Sequence, residues 1–157
     1  MTLSGSNFGP EGTNWTDIVV RYGPAGNWSQ FTATLCNVSV GHSEMRCWSS
    51  VGVGMNHGWT VSVGSQNSSV SSVLTSYTAP TITSVSLLSV GATTLNTTGN
   101  ETMVINGTNF GPATSTASWN VMNATYVGSV GKVYVALSCT VTVSHVSARC
   151  MSAAGVG

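Results

Sequence analysis

The chain matches itself. Met1-Thr-Leu-Ser-Gly-Ser-Asn-Phe-Gly-Pro10 returns as Met103-Val-Ile-Asn-Gly-Thr-Asn-Phe-Gly-Pro112, an offset of 102. Cys36, His42, Arg46, Cys47, Gly52, Val53 and Gly54 return as Cys139, His145, Arg149, Cys150, Gly155, Val156 and Gly157, an offset of 103. One residue is therefore gained between the two blocks. Repetition at a fixed period constrains a fold more than composition does, because each period must be one structural unit. The 157 residues hold about one and a half such periods.

Within each period the segments read as strands and turns. Thr81–Leu88 is rich in Ile, Val and Thr. Thr102–Asn106 runs into Gly-Thr-Asn-Phe-Gly-Pro, a turn cluster. Val133, Val135, Leu137, Cys139, Val141 and Val143 hold period two, which predicts one strand with one buried face. In the first copy Phe31, Ala33 and Leu35 alternate, but Cys36, Val38 and Val40 continue on the other parity. That switch predicts a bulge or strand break at Leu35–Cys36. Further strands are expected at Asp17–Tyr22, Glu44–Ser49, Gly58–Val63 and Ser71–Tyr77. No segment has a 3.6-residue period. Short strands between turn signals predict an all-β chain of β-sandwich type.

Composition narrows the functional classes. Charged residues are 5% of the chain, against ~25% in ordinary domains, with four basic and four acidic side chains and no net charge. Nothing here attracts nucleic acid or an anionic membrane surface. No apolar run reaches the ~18 residues of a membrane span. No signal peptide is visible at Met1–Pro10, so if the protein is secreted this is a mature or excerpted segment. Asp17 is the sole aspartate and has no repeat counterpart, so a Ser-His-Asp arrangement has no support. His42 and His145 share one repeat position and read as turn residues.

A surface with so little charge has a solubility problem. Asn-x-Ser/Thr occurs at Asn14, Asn27, Asn37, Asn67, Asn96, Asn100, Asn106 and Asn123, eight of the twelve asparagines. The Ser plus Thr content would give only three or four by chance. The excess predicts N-linked glycans and a secretory route. Strand parity adds detail. If Cys36 points inward, Asn37 points to solvent; if Met103 and Ile105 fill the core, Asn106 faces out. Asn96 and Asn100 fall in a polar loop, Asn67 in a turn, and Asn123 at a strand end. Asn14 and Asn27 are weaker sites, because Trp15 and Trp28 follow them.

The residues resemble the IPT/TIG family of immunoglobulin-like domains, found in plexin-type receptors and long extracellular repeat proteins. Pro80-Thr-Ile-Thr-Ser-Val85 is similar to the family's opening strand. The Gly-x-Asn-Phe-Gly turn at Gly5–Gly9 and Gly107–Gly111 is its most specific part. The cysteine pair and the following Gly-x-Gly match in both copies, and Tyr77-Thr-Ala-Pro80 matches the closing strand and module boundary. The chain departs from the family in lacking a Pro before Gly52 and Gly155 and in its low charge. The resemblance implies tandem β-sandwich modules, residues 1–79 without a first strand and 80–157 without the last strands. Strand donation by a neighbour is one account of the gaps. The connector Met55–Thr102, however, supplies one closing and one opening set that both have homes, so a window from a longer tandem chain is the simpler account.

In that extracellular setting the even cysteine count implies disulfides, most simply Cys36–Cys47 and Cys139–Cys150. The rival is a metal set of Cys36, His42 and Cys47, which has no obvious fourth ligand. Trp15, Trp28, Trp48, Trp59 and Trp119 are either packing residues or a sugar-stacking platform. The function expected is non-enzymatic: a subunit of a glycosylated extracellular filament, fibre or coat. It would need no cofactor or metal, and its partners would be further copies or adjacent modules, head to tail. The alternatives are a receptor or adhesin stalk and an accessory module of a polysaccharide-active enzyme.

Overall fold

The computed structural model describes residues 1–13, 16–89, 91–113 and 121–156. Asn14, Trp15, Trp119 and Gly157 lie outside them. The described residues are all-β, with thirteen strands and antiparallel pairing throughout. None forms a helix long and apolar enough to cross a membrane. The chain divides into two compact units, Met1–Tyr77 and Thr78–Gly157.

The first unit holds β1 (Thr2–Ser4), β2 (Ile18–Gly23), β3 (Phe31–Thr32), β4 (Thr34–Val40), β5 (Glu44–Trp48), β6 (Gly58–Val63) and β7 (Gln66–Asn67). They form two sheets, ordered β1-β5-β4 and β3-β2-β6-β7. Each sheet buries alternate residues, as strand geometry requires when one face meets a core. Ile18, Val20 and Tyr22 of β2 and Trp59 and Val61 of β6 face inward from one sheet. Cys36, Val38, Met45 and Cys47 do so from the other.

The second unit holds β8 (Thr81–Leu87), β9 (Thr102–Thr108), β10 (Thr125–Val127), β11 (Val133–Val135), β12 (Leu137–Val143) and β13 (Ser147–Met151). Its sheets are β12-β13-β9-β8 and β10-β11. Met103, Ile105, Phe110, Ala136, Ala148 and Cys150 form its buried cluster.

Matching sequence adopts matching backbone. Asn7 and Asn109 have φ of 63° and 61°, a left-handed conformation that asparagine tolerates. The Phe that follows folds back over the first glycine of the turn. A Cβ on Gly5 would stand 2.5 Å from Phe8 Cζ, and one on Gly107 2.6 Å from Phe110 Cζ. The turn is laced to the following hairpin in the same way twice. His42 N donates to Gly9 O and His145 N to Gly111 O, both at 2.7 Å.

The parity break at Leu35 is a bulge: the β4–β5 register shifts between Thr34 and Asn37, and Leu35 has φ 49°. The second copy carries the same bulge at Ser138, also φ 49°, where the β12–β13 register shifts between Leu137 and Thr140. This overturns the single buried face expected of Val133–Val143. Before the bulge Tyr134 and Ala136 are buried, while Val133, Val135 and Leu137 are 60%, 55% and 52% exposed. After it Cys139 and Val141 turn toward the core cluster.

The strand expected over Ser71–Tyr77 is also absent; only Thr75 bridges to His57. Serine hydroxyls take the place of ladder carbonyls there. Val61 N donates to Ser68 Oγ and Trp59 N to Ser71 Oγ, both at 3.0 Å. Short hydroxyl side chains compete with the backbone in this way. Asn67 lies in β7 rather than in a turn.

Candidate functional site

Each unit carries one disulfide, Cys36–Cys47 across β4 and β5 and Cys139–Cys150 across β12 and β13. Both bridge strands of one hairpin, because the tight turn at His42 or His145 returns the chain alongside itself. The cysteine sulfurs are thereby taken up and offer no thiolate to a metal. Two such bonds are the chemistry of an oxidising, extracellular environment. His42 and His145 are exposed turn residues with φ of 62° and 66°.

The sequon asparagines are spread over both units. Asn27, Asn37, Asn67, Asn96, Asn100 and Asn123 are exposed, and Asn106 is half-buried. Asn37 follows buried Cys36, and Asn106 follows buried Ile105. Asn106 donates from Nδ2 to Ser84 Oγ at 3.2 Å, and Asn96 donates from Nδ2 to Glu101 Oε1 at 2.8 Å. Asn27 and Asn67 open on one shallow groove, which Val19, Arg21, Trp28 and Thr60 also line. Trp48 is 70% exposed on β5, whereas Trp59 is core. The described tryptophans therefore do not form one platform.

The densest chemistry is an aromatic cluster in the first unit that sequence reading did not single out. Tyr22 stacks on Trp59 with ring centroids 4.0 Å apart and on Phe31 at 5.2 Å. Tyr22 Oη accepts from Ser50 N at 3.0 Å and lies 2.6 Å from Tyr77 Oη. Tyr77 Oη donates to Ser50 O at 2.6 Å. The available signal was the aromatic pair that β2 and β6 place opposite one another, Tyr22 and Trp59.

Burial, and then the Tyr22 hydroxyl, push the Tyr77 phenol above the ordinary tyrosine range, with only partial opposition from Ser50. A phenol raised on folding stabilises the fold below its unfolded pKa, near 10, and that contribution fades as pH rises past it. In an absorbance titration one tyrosine of this chain should ionise after the others. Tyr77→Phe should abolish that late step, and a late step that survives the substitution would assign it elsewhere.

His57 sits at the edge of the same cluster, 2% exposed, and its ring meets Phe31 and Tyr77 edge-on, each at 5.5 Å. Among the described residues neither ring nitrogen has a hydrogen-bond partner. A buried polar atom without a partner costs about 1–3 kcal/mol. His57→Phe keeps the flat ring and removes the nitrogens, so it should raise the stability of the first unit by about 1 kcal/mol in urea unfolding. Unchanged or lower stability would show that the nitrogens are solvated.

Among the described residues no group of three or more His, Cys, Asp or Glu is placed to hold a metal ion. No protein-family model, curated protein or solved structure matches the chain.

Proposed function

We propose that this chain is a structural segment of a glycosylated extracellular filament, fibre or coat, built from immunoglobulin-like modules of the IPT/TIG kind joined head to tail. The observation that carries the reading is the surface. Seven described sequon asparagines stand exposed or half-exposed on a chain with eight formal charges. Attached sugar would supply the hydration that charge does not, and would shield sheet edges against unwanted pairing. The repeated turn, hairpin and disulfide fit a module built to recur. Under this reading the chain binds no cofactor and no nucleic acid, and its partners are further modules of its own kind.

Two measurements test the reading. Glycosidase treatment in heavy-oxygen water converts each glycosylated Asn to labelled Asp. Label at Asn37 and Asn106 is expected, and its absence from both would remove the secretory premise. Electron micrographs of the native material should show filaments whose rise is a whole number of modules. A monodisperse native protein at high concentration would favour a stalk instead.

A further inference from the structure

The outer face of the β3-β2-β6-β7 sheet carries more than a solvated surface. Ile18, Val20 and Tyr22 take the inner side of β2, so Val19 and Arg21 point outward. On β6, Trp59 and Val61 face the core, so Gly58, Thr60 and Ser62 face out. The register sets these residues in rows. Arg21 lies opposite Thr60, Val19 opposite Ser62, and Ser62 opposite Asn67 of β7. Directly opposed residues share a face, so Asn67 stands on the outer side beside Ser62.

An indole lies on this face too. Trp28, in the connection from β2 to β3, packs over Gly58. A Cβ at Gly58 would stand 2.8 Å from Trp28 Cζ3 and 2.6 Å from Val70 Cγ1, so glycine is what lets the ring lie against the strand. Trp28 is half-buried there, and its remaining surface lines a groove of about 380 Å³. That volume is at the lower end for ligand clefts. Gly58 and Ser62 are four residues apart, so Trp28 and Asn67 mark positions roughly 13 Å apart along β6. Between them the lining is neutral and rich in hydroxyls, with Thr60, Ser62 and Ser68. Arg21 adds a fan of N–H donors, and among the described residues it has no ion-pair partner. Among the described residues no carboxylate lines the groove. An apolar ring beside donors and acceptors that carry no negative charge suits a neutral saccharide, which has an apolar C–H face and a rim of hydroxyls.

We propose that this groove is the seat of the N-linked sugar carried by Asn67, which runs back along β6 and lays its first residues against Trp28. The tether decides the occupant. Asn67-Ser-Ser69 is a sequon on the wall of the groove itself. Sugar attached there has an effective concentration on the order of millimolar, which a free saccharide would have to exceed to displace it. Asn27, the other sequon on the groove, has Trp28 at its middle position, the arrangement that hinders transfer. The seated sugar would also act as a strap. β7 is an edge strand of two residues, and a sugar held from Asn67 to Trp28 ties that edge to the β2–β3 connection. The proposal rests on the glycosylated, secreted reading for the presence of the sugar; the groove and its ring stand without it.

The test uses the intact chain secreted from eukaryotic cells, its sugars isotope-labelled, in a Ser29→Ala background. That substitution removes the Asn27 sequon and leaves the backbone bonds of Asn27 to Pro24 and Gln30 in place. Cross-relaxation between Trp28 ring protons and sugar protons is expected. It should vanish in Asn67→Gln and persist in Asn37→Gln, whose sequon lies on the other sheet. In Asn67→Gln the Ser68 amide, which donates to Val61 O at 2.8 Å, should exchange about tenfold faster. The same substitution should speed it again on Trp28→Phe, which keeps a ring, and should change little on Trp28→Ala. A chain glycosylated at Asn67 without the Trp28–sugar contact, or a Ser68 amide indifferent to Asn67→Gln, would overturn the proposal. A contact that appears only when Ser29 is restored would assign the sugar to Asn27 and overturn it as well. Micromolar binding of free N-glycan core oligosaccharide by Asn67→Gln would make the groove a receptor for foreign sugar instead. Peptide mapping separates this proposal from the reading beneath it. Asn67 bare while Asn37 and Asn106 carry sugar sinks the proposal alone, and all three bare removes the secretory premise with it.

Discussion

Tyr22→Ala is expected to destabilise the first unit by about 4 kcal/mol, and Tyr22→Phe by about 1 kcal/mol. The difference follows from what the side chain touches. Its ring lies between those of Phe31 and Trp59, and only 1% of the residue is exposed. Truncation therefore leaves a ring-sized cavity that two other aromatic residues line. Phenylalanine keeps the stacking and loses only the hydroxyl that serves Ser50 and Tyr77. A typical domain has 5–15 kcal/mol in total, so the alanine variant should lose a large share of the first unit's margin and unfold at a markedly lower urea concentration. Urea unfolding followed by tryptophan fluorescence reads this directly. Equal losses for the two variants would mean that the hydroxyl network, not ring packing, holds the sheets together.

Cys139→Ala with Cys150→Ala should cost the second unit about 3 kcal/mol, the chain-entropy value for closing a loop of this length. The same double substitution at Cys36 and Cys47 has a similar entropic cost, since both bonds span 11 residues. The consequences should nevertheless differ. The first unit backs its disulfide hairpin with a four-stranded sheet, whereas the described residues of the second set the two-stranded β10–β11 ribbon in that place. The second unit therefore starts from a smaller margin and should unfold first when its bond is removed. Amide signals resolved by residue would show loss confined to residues 78–157. Survival of those signals at physiological temperature would show that the ribbon is sufficient.

Much of this was legible in the residues, and the failures have causes. The all-β class follows from period-two alternation without any 3.6-residue period. The bulge at Leu35 was visible because parity changes there in full view. The identical bulge at Ser138 was hidden because valines continue on both sides of it. Val133, Val135 and Leu137 occupy positions that the first copy fills with Gln30, Thr32 and Thr34. Apolar residues on an outward face imitate a buried one, and period alone cannot tell them apart. The Ser71–Tyr77 error has another origin: hydroxyl-to-backbone bonds leave no pattern in hydrophobicity. The aromatic cluster went unread because Tyr22, Trp59 and Tyr77 are far apart in sequence and meet only once β2 and β6 pair.

The scarcity of cationic side chains also determines how a protease meets this molecule. Trypsin has four sites to attack, Arg21, Arg46, Lys132 and Arg149. Three of them lie within β2, β5 and β13, where the main chain is held in a ladder and cannot enter a protease cleft. Lys132 alone lies outside a strand, exposed in the short connection between β10 and β11. Folded protein should therefore be nicked there and nowhere else, and cleavage at an arginine reports that its unit has opened. Each disulfide loop encloses one of these arginines, Arg46 between Cys36 and Cys47 and Arg149 between Cys139 and Cys150. A cut at either would stay concealed on a non-reducing gel and separate only after reduction. A pair of lanes then distinguishes which bond was broken, peptide or disulfide, and in which half of the molecule.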